Sequence, residues 1–150
     1  TAAALEMDFH NIAVGGATMN RQVATAAMEL NWNEVIVAFG VNDFAQNRPM
    51  DEFLADTAGM MAELSSRKKA KITFITPIPW VAGKPANEVG LALEEYRDAI
   101  IRTASDFPGI KVIDGKQLVP DAAEFFVDNI HPNDRGMTEF AGKLCNALRT

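Results

Sequence analysis

Four short runs rich in β-branched and aromatic residues, at 9–14, 35–39, 72–76 and 111–113, alternate with longer helical patterns at 20–30, 50–67, 88–105 and 134–148. This alternation narrows the fold more than any other feature of the chain. The short runs are apolar on both faces, as strands of a parallel sheet covered on both sides must be. The longer stretches carry apolar residues on one helical face, such as Phe53, Leu54, Met60, Met61 and Leu64 behind Pro49, Asp51 and Glu52. The third stretch carries Val89, Leu93, Tyr96, Ile100 and Ile101, and it stops before Pro108-Gly109, which cannot continue a helix. Strand–helix alternation with short connections predicts an α/β fold: a three-layer α/β/α sandwich on a flavodoxin-like parallel sheet. No linker interrupts the pattern, so residues 1–150 read as one domain.

Composition removes several function classes. Hydrophobic residues make up 48% and charged residues 23%, as in ordinary globular chains. The net charge of -6 leaves no basic surface for nucleic acid. The one basic run, Arg67-Lys68-Lys69, reads as a solvated helix end that suits the helix dipole. No apolar run reaches membrane-spanning length. No signal peptide is visible, and the sequence fixes no compartment. Cys145, at helical spacing among Phe140, Ala141, Leu144 and Leu148, is expected to be a buried thiol.

In parallel sheets, functional side chains gather on loops after the carboxyl ends of strands. Three features fall there. Asp128 stands three residues before His131 on a tight loop, close enough to hold one ring nitrogen so that the other can take a proton. Pro132 stiffens the exit, and Asn133 or Asp134 can cap the following helix. The same spacing also suits a plain capping loop with an incidental histidine. Gly40-Val41-Asn42-Asp43 follows a strand, and an Asn amide there can face a developing oxyanion; an ordinary Asn/Asp turn is the alternative. Gly15-Gly16 can offer backbone N–H groups to an anion, or mark a simple turn.

Taken together, the three features resemble the conserved blocks of the SGNH-type (GDSL) serine esterases. Asn11-Ile12-Ala13-Val14-Gly15-Gly16-Ala17-Thr18 is similar to the pattern Asn-x-Gly-x-x-Gly-x-Thr, Gly40-Val41-Asn42-Asp43 to Gly-x-Asn-Asp, and Asp128-Asn129-Ile130-His131-Pro132 to Asp-x-x-His-Pro. The blocks stand in the family's order and span essentially the whole chain. Thr76-Pro77-Ile78-Pro79 also resembles the stretch after the family's fourth strand. Ala13 departs from the first glycine of its block, and Gly15 stands where serine is frequent. The resemblance implies that His131 is the general base and then acid, that Asp128 orients it, and that Gly16 N–H and the Asn42 amide are oxyanion donors. It implies a small ester substrate and neither metal nor organic cofactor. His10 shows no metal-ligand spacing and is expected to be structural or exposed.

The family's nucleophile block, Gly-Asp-Ser, is absent. The only serines are Ser65, Ser66 and Ser105, all near helix ends. Thr1–Leu5 reads as the tail of a helix that would follow such a block. The expectation is therefore an acyl-ester hydrolase whose serine and first strand come from an N-terminal segment or a neighbouring chain that completes the sheet. A non-catalytic domain of the same fold, binding carbohydrate or protein, and an inactive fragment are the alternatives. Trp80 reads either as a flank of the substrate cleft or as packing.

Overall fold

A computed structural model describes residues 1–67 and 69–149. Lys68, the centre of the basic run, lies outside the described residues. The elements are α1 (Arg21–Met28), β1 (Glu34–Ala38), α2 (Val41–Ala45), α3 (Met50–Ser65), β2 (Lys71–Ile75), α4 (Leu93–Ala104), β3 (Ile110–Ile113) and α5 (Asp134–Arg149). The expected α/β fold with a parallel sheet is what forms. The sheet has the order β1-β2-β3 with both pairs parallel. Its register sets Val37 beside Phe74 and Phe74 beside Val112.

The chain divides into two compact units. One comprises Val14–Pro77 and Pro85–Ile113, and the other comprises Thr1–Ala13, Ile78–Lys84 and Asp114–Thr150. The first holds the sheet and α1–α4. Its core follows from helix periodicity: α3 buries Phe53, Thr57, Met60, Met61 and Leu64, spaced to fall on one face. Tyr96 of α4 is fully buried, with its ring edge-on to Phe53 at 5.0 Å between centroids. Each such side chain contributes roughly 1.5–3 kcal/mol by leaving water. The central strand β2 is buried from Ile72 to Ile75, as a run apolar on both faces requires. In the second unit, Val119, Phe125 and Phe126 form a cluster backed by Ile78, Val81, Ala122 and Phe140. Cys145 is buried there, as its helical spacing predicts.

Local chemistry sets the ends of the helices. Asn20 caps α1 by accepting Gln22 N–H at 2.7 Å, and Glu95 reaches back to Ala92 N–H at 2.7 Å to start α4. That start lies later than the pattern 88–105 suggests. Asn87 takes Leu91 N–H at 2.9 Å and Gly90 turns at φ +80°, so 88–92 is spent in a loop. Arg67 is more than a solvated helix end. Its guanidinium stacks 4.5 Å from the Trp32 ring centre and donates to the Trp32 and Met28 carbonyls. Residues 1–5 form one 3₁₀ turn, Ala3–Leu5, and not the end of an α-helix.

The strand expected at 9–14 does not form. A strand exists by its ladder, and this run has none. Its Ala13 N–H donates locally, to the Asn11 side chain at 2.9 Å, a turn that competes with extended pairing. Phe9 and Val14 are each 73% exposed.

Gly40 joins β1 to α2 at φ +109°, and a Cβ there would meet Pro77 Cγ at 2.7 Å. Both the torsion and the space require glycine. Gly40→Ala is expected to lower stability by about 2 kcal/mol, read as a fall in the urea midpoint. An unchanged midpoint would contradict the assignment.

Candidate active site

Asp128 and His131 lie in one unit and Gly16 and Asn42 in the other, so each pair is described within its own unit. The Asp128 loop is a narrow antiparallel turn. Phe126 bridges to Pro132, and Val127 N–H donates to the His131 carbonyl at 2.8 Å. Asn129 takes the left-handed conformation at φ 69°, which asparagine tolerates. Asp128 Oδ1 accepts Ile130 N–H at 3.2 Å and His131 N–H at 2.9 Å. The carboxylate also faces His131 Nδ1, at 3.0 Å from Oδ1 and 2.8 Å from Oδ2. The expected Asp–His pair is thus formed, and so is the expected cap: Asn133 accepts Gly136 N–H at 3.0 Å at the start of α5.

Hydrogen bonds to the ionised form, first from the His131 backbone N–H and then from its ring, lower the Asp128 carboxyl from its ordinary 3.8 to about 2. A carboxylate only accepts, so His131 Nδ1 carries the ring proton and Nε2 is left as the basic nitrogen. The His131 side chain is 75% exposed, so Nε2 is open to a reactant. One residue of this loop gave little signal in the sequence. Gly136 stands in the first turn of α5, where a Cβ would lie 2.2 Å from the Phe125 carbonyl oxygen. A glycine inside a helix costs propensity, and that cost was the available clue.

In the sheet-bearing unit, Ala17 N–H donates to Val14 O at 3.2 Å and closes a turn with Gly16 at its third position, φ +77°. That is a type II turn, which calls for glycine there. Gly16 N–H is exposed and meets no acceptor among the described residues. The Gly40 block forms a short helix, α2, and not a plain loop. Asn42 Nδ2 donates to Ala17 O at 2.9 Å, so Asn42 and the glycine turn are brought together. One amide hydrogen of Asn42 is spent on this contact, and the second is available to a ligand.

The next residue, Asp43, is fully buried. Its carboxylate accepts Met19 N–H at 3.0 Å, Gly40 N–H at 3.1 Å and Arg48 Nη1 at 3.0 Å. Arg48 also donates to Asp56 and to the Met19 carbonyl, and its own carbonyl receives the Tyr96 hydroxyl. Burial disfavours the Arg48 charge, but hydrogen bonds and attraction from Asp43 and Asp56 outweigh it and raise its pKa. The Tyr96 hydroxyl is pushed up mainly by burial, against the bond from Asn87. Sequence reading placed Asp43 inside its block but gave it no role, read Tyr96 only as part of an apolar helix face, and missed Arg48, Asp56 and Asn87. Polar residues dispersed from 43 to 96 show no common spacing.

Ser65, Ser66, Ser105, His10 and Trp80 are the remaining candidates. Ser66 and Ser105 are exposed and donate to carbonyls of their own helices, Glu63 O and Arg102 O, both at 2.6 Å. Ser65 is half-buried on α3 and His10 is exposed. Trp80 packs on its own turn: a Cβ at Gly83 would lie 2.8 Å from Trp80 Cγ. Among the described residues, no group of three His, Cys, Asp or Glu is placed to hold a metal, and no helix is long and apolar enough to cross a membrane. An open hollow of about 410 Å³ is lined by Asn31, Trp32, Asn33, Arg67, Lys69 and Ala70. It lies at the amino ends of β1 and β2, whereas Asn42 follows the carboxyl end of β1.

Two measurements check these assignments. Asp43→Asn keeps the shape but removes the charge that Arg48 needs, and is expected to cost about 3 kcal/mol in urea unfolding; a loss below about 1 kcal/mol would refute the hub. Asp128 has a depressed carboxyl value, so its stabilising contribution is complete above 3.8 and vanishes as pH falls through about 2. The Tm of the wild type should therefore approach that of Asp128→Asn between those two values, and parallel curves would contradict it.

Residues 1–138 match the sequence profile of the GDSL-like lipase/acylhydrolase family. No curated protein matches the chain significantly. Among solved structures, a protein of Lactobacillus plantarum superposes with TM-score 0.85 at 21% identity, over 99% of this chain and 84% of that one. The psychrotrophic esterase EstA from Pseudoalteromonas gives 0.70 at 15% identity, over 99% and 84%. A GDSL-like lipase from Bacteroides thetaiotaomicron gives 0.67 at 21% identity, over 89% and 72%. At these identities the structures establish a shared α/β/α fold, and the profile, which spans nearly the whole sequence, establishes descent: the chain belongs to the GDSL-like lipase/acylhydrolase family.

Proposed function

We propose that this chain supplies the acid–base pair and two oxyanion donors of a serine esterase that works through an acyl-enzyme. The observation that carries the reading is the Asp128–His131 pair, with Nδ1 held 2.8 Å from the carboxylate and the ring otherwise exposed. The nucleophilic serine is assigned to a segment outside these 150 residues, because the hydroxyls of Ser66 and Ser105 are engaged at helix ends and Ser65 is half-buried on α3. The same segment, or a neighbouring chain, is assigned the open edge of β1, where Ile36 is 41% exposed on an otherwise apolar strand.

The chemistry asks both residue pairs to serve one ester carbonyl. The serine oxygen attacks the carbonyl carbon as His131 Nε2 takes its proton. The charge that develops on the carbonyl oxygen is met by Gly16 N–H and the second Asn42 amide hydrogen, with the backbone N–H of the serine as third donor. Asp128 stabilises the imidazolium without accepting its proton. His131 then protonates the departing alcohol and leaves an acyl-serine. Water, deprotonated by His131, attacks this ester, and the acid leaves as the serine recovers its proton. No step needs a metal or an organic cofactor.

The substrate class proposed is short acyl esters, including O-acetyl groups on carbohydrate. A histidine whose side chain is 75% exposed suits a small acyl group on an open site better than a long chain under a lid. The esterase name of the Pseudoalteromonas protein agrees with ester hydrolysis in general. The full-length protein should hydrolyse short-chain aryl esters, and His131→Ala should lower the rate by about 10³-fold. Equal rates would rule out His131 as the base, and an upstream sequence without a serine nucleophile would favour a non-catalytic binding domain of the same fold.

A further inference from the structure

Two side chains on one face of α2 and its C-cap grip consecutive carbonyls of the glycine turn. Asn42 Nδ2 donates to Ala17 O at 2.9 Å, and Gln46, four residues later, donates from Nε2 to Gly16 O at 2.7 Å. Residues four apart share a helix face, so the pair can hold two adjacent peptide groups. Gln46 is itself fixed at the backbone, where its N–H donates to Asn42 O at 2.8 Å.

Gly16 needs such a hold. A Cβ built on it would meet nothing within 4 Å, so no packing beside its Cα holds it in place. A glycine in open space is also the residue with the most backbone freedom. Its conformation therefore depends on hydrogen bonds. The Ala17-to-Val14 bond closes the turn, and the Gln46 bond fixes the carbonyl on one side of the Gly16 Cα. The N–H on the other side of that Cα then has a defined direction.

We propose that Gln46 is a positioning residue of the oxyanion hole: by holding the Gly16 carbonyl it aims the Gly16 N–H. The proposal rests on the esterase reading above. Gln46 is an exposed residue at the end of a short helix, so replacing it leaves the core intact. An ionised glutamate has the same reach but only accepts, so it repels the Gly16 carbonyl. A lysine keeps a donor of similar reach.

The test uses the full-length protein, a short-chain aryl ester, and separate kcat and KM values for the wild type, Gln46→Ala, Gln46→Glu, Gln46→Lys and His131→Ala. The expected result is a fall in kcat of about five- to tenfold for Gln46→Ala, with KM changed less than about twofold, since one neutral hydrogen bond is lost from a group that acts on the transition state. Gln46→Glu should fall further, and Gln46→Lys should recover most of the rate. Tm and the pH dependence of kcat should stay those of the wild type. Wild-type kcat in Gln46→Ala and Gln46→Glu, with His131→Ala inactive, would overturn the positioning role and leave the esterase reading standing. Equal loss in all three Gln46 variants with a lower Tm would overturn it in favour of a structural role. No turnover in the wild type would remove the esterase reading itself, and full activity in His131→Ala would remove His131 as its base.

Discussion

Asp43 places a carboxylate at zero exposure, and such a group is tolerated only when donors surround it. Here the donors come from three places in the sequence: Met19 beyond the glycine turn, Gly40 at the end of β1, and Arg48 after α2. Meeting the needs of one side chain therefore fixes the segment that carries Gly16 against the segment that carries Asn42. Arg48 extends the hold to Asp56 of α3, and the Tyr96 hydroxyl extends it to α4 through the Arg48 carbonyl. The hydrophobic core beneath explains why these helices pack. The buried carboxylate explains why the loops above them have one arrangement.

The sequence revealed the sheet and helices well because each depends on a local period. Strands 35–39, 72–76 and 111–113 shifted by a residue or so when formed, since β-branched runs of that length suit buried parallel strands. The run at 9–14, which also carries the polar His10 and Asn11, remains unpaired, because pairing is decided by a neighbour and not by the run alone. The Asp128–His131 pair was legible for a similar reason: three residues on a tight loop bring the side chains together whatever the rest of the fold does. The Asp43 network was illegible because its members meet only in three dimensions, with separations of up to 48 residues between Tyr96 and the Arg48 carbonyl. Gly40 was readable as a turn glycine, but its need for space beside Pro77 was not.

Strand β1 is an edge of the three-stranded sheet formed by the described residues. The Asn33 carbonyl receives the Lys71 N–H at 2.9 Å, so the alternate residues Ile36 and Ala38 turn their backbone groups away from β2. Both are exposed, and the strand has one charge, Glu34, at its start. Edge strands that are meant to stay unpaired carry lysine, proline or a bulge, and β1 has none of them. Its composition is that of an interior strand. The open edge thus belongs to the same element whose carboxyl end leads into Asn42.

The two halves of the proposed site are prepared in different ways. On the histidine side, the carboxylate of Asp128 is spent three times, on two backbone N–H groups and one ring nitrogen, so the loop cannot relax without losing charge-assisted bonds. Those bonds are exposed, and salt and solvent moderate each of them. On the oxyanion side, the anchor is buried and the donors are at the surface. Asn42 commits one amide hydrogen to Ala17 and Gly16 commits its carbonyl to Gln46, which leaves one hydrogen on each for a developing charge. Donors already oriented in the resting protein need little reorganisation when charge appears, and this is where such sites gain most of their effect. The rigid part of this arrangement is Asp43, and the adjustable part is the pair of exposed contacts above it. Rate should therefore be more sensitive than stability to the exposed contacts, and stability more sensitive than rate to the buried carboxylate.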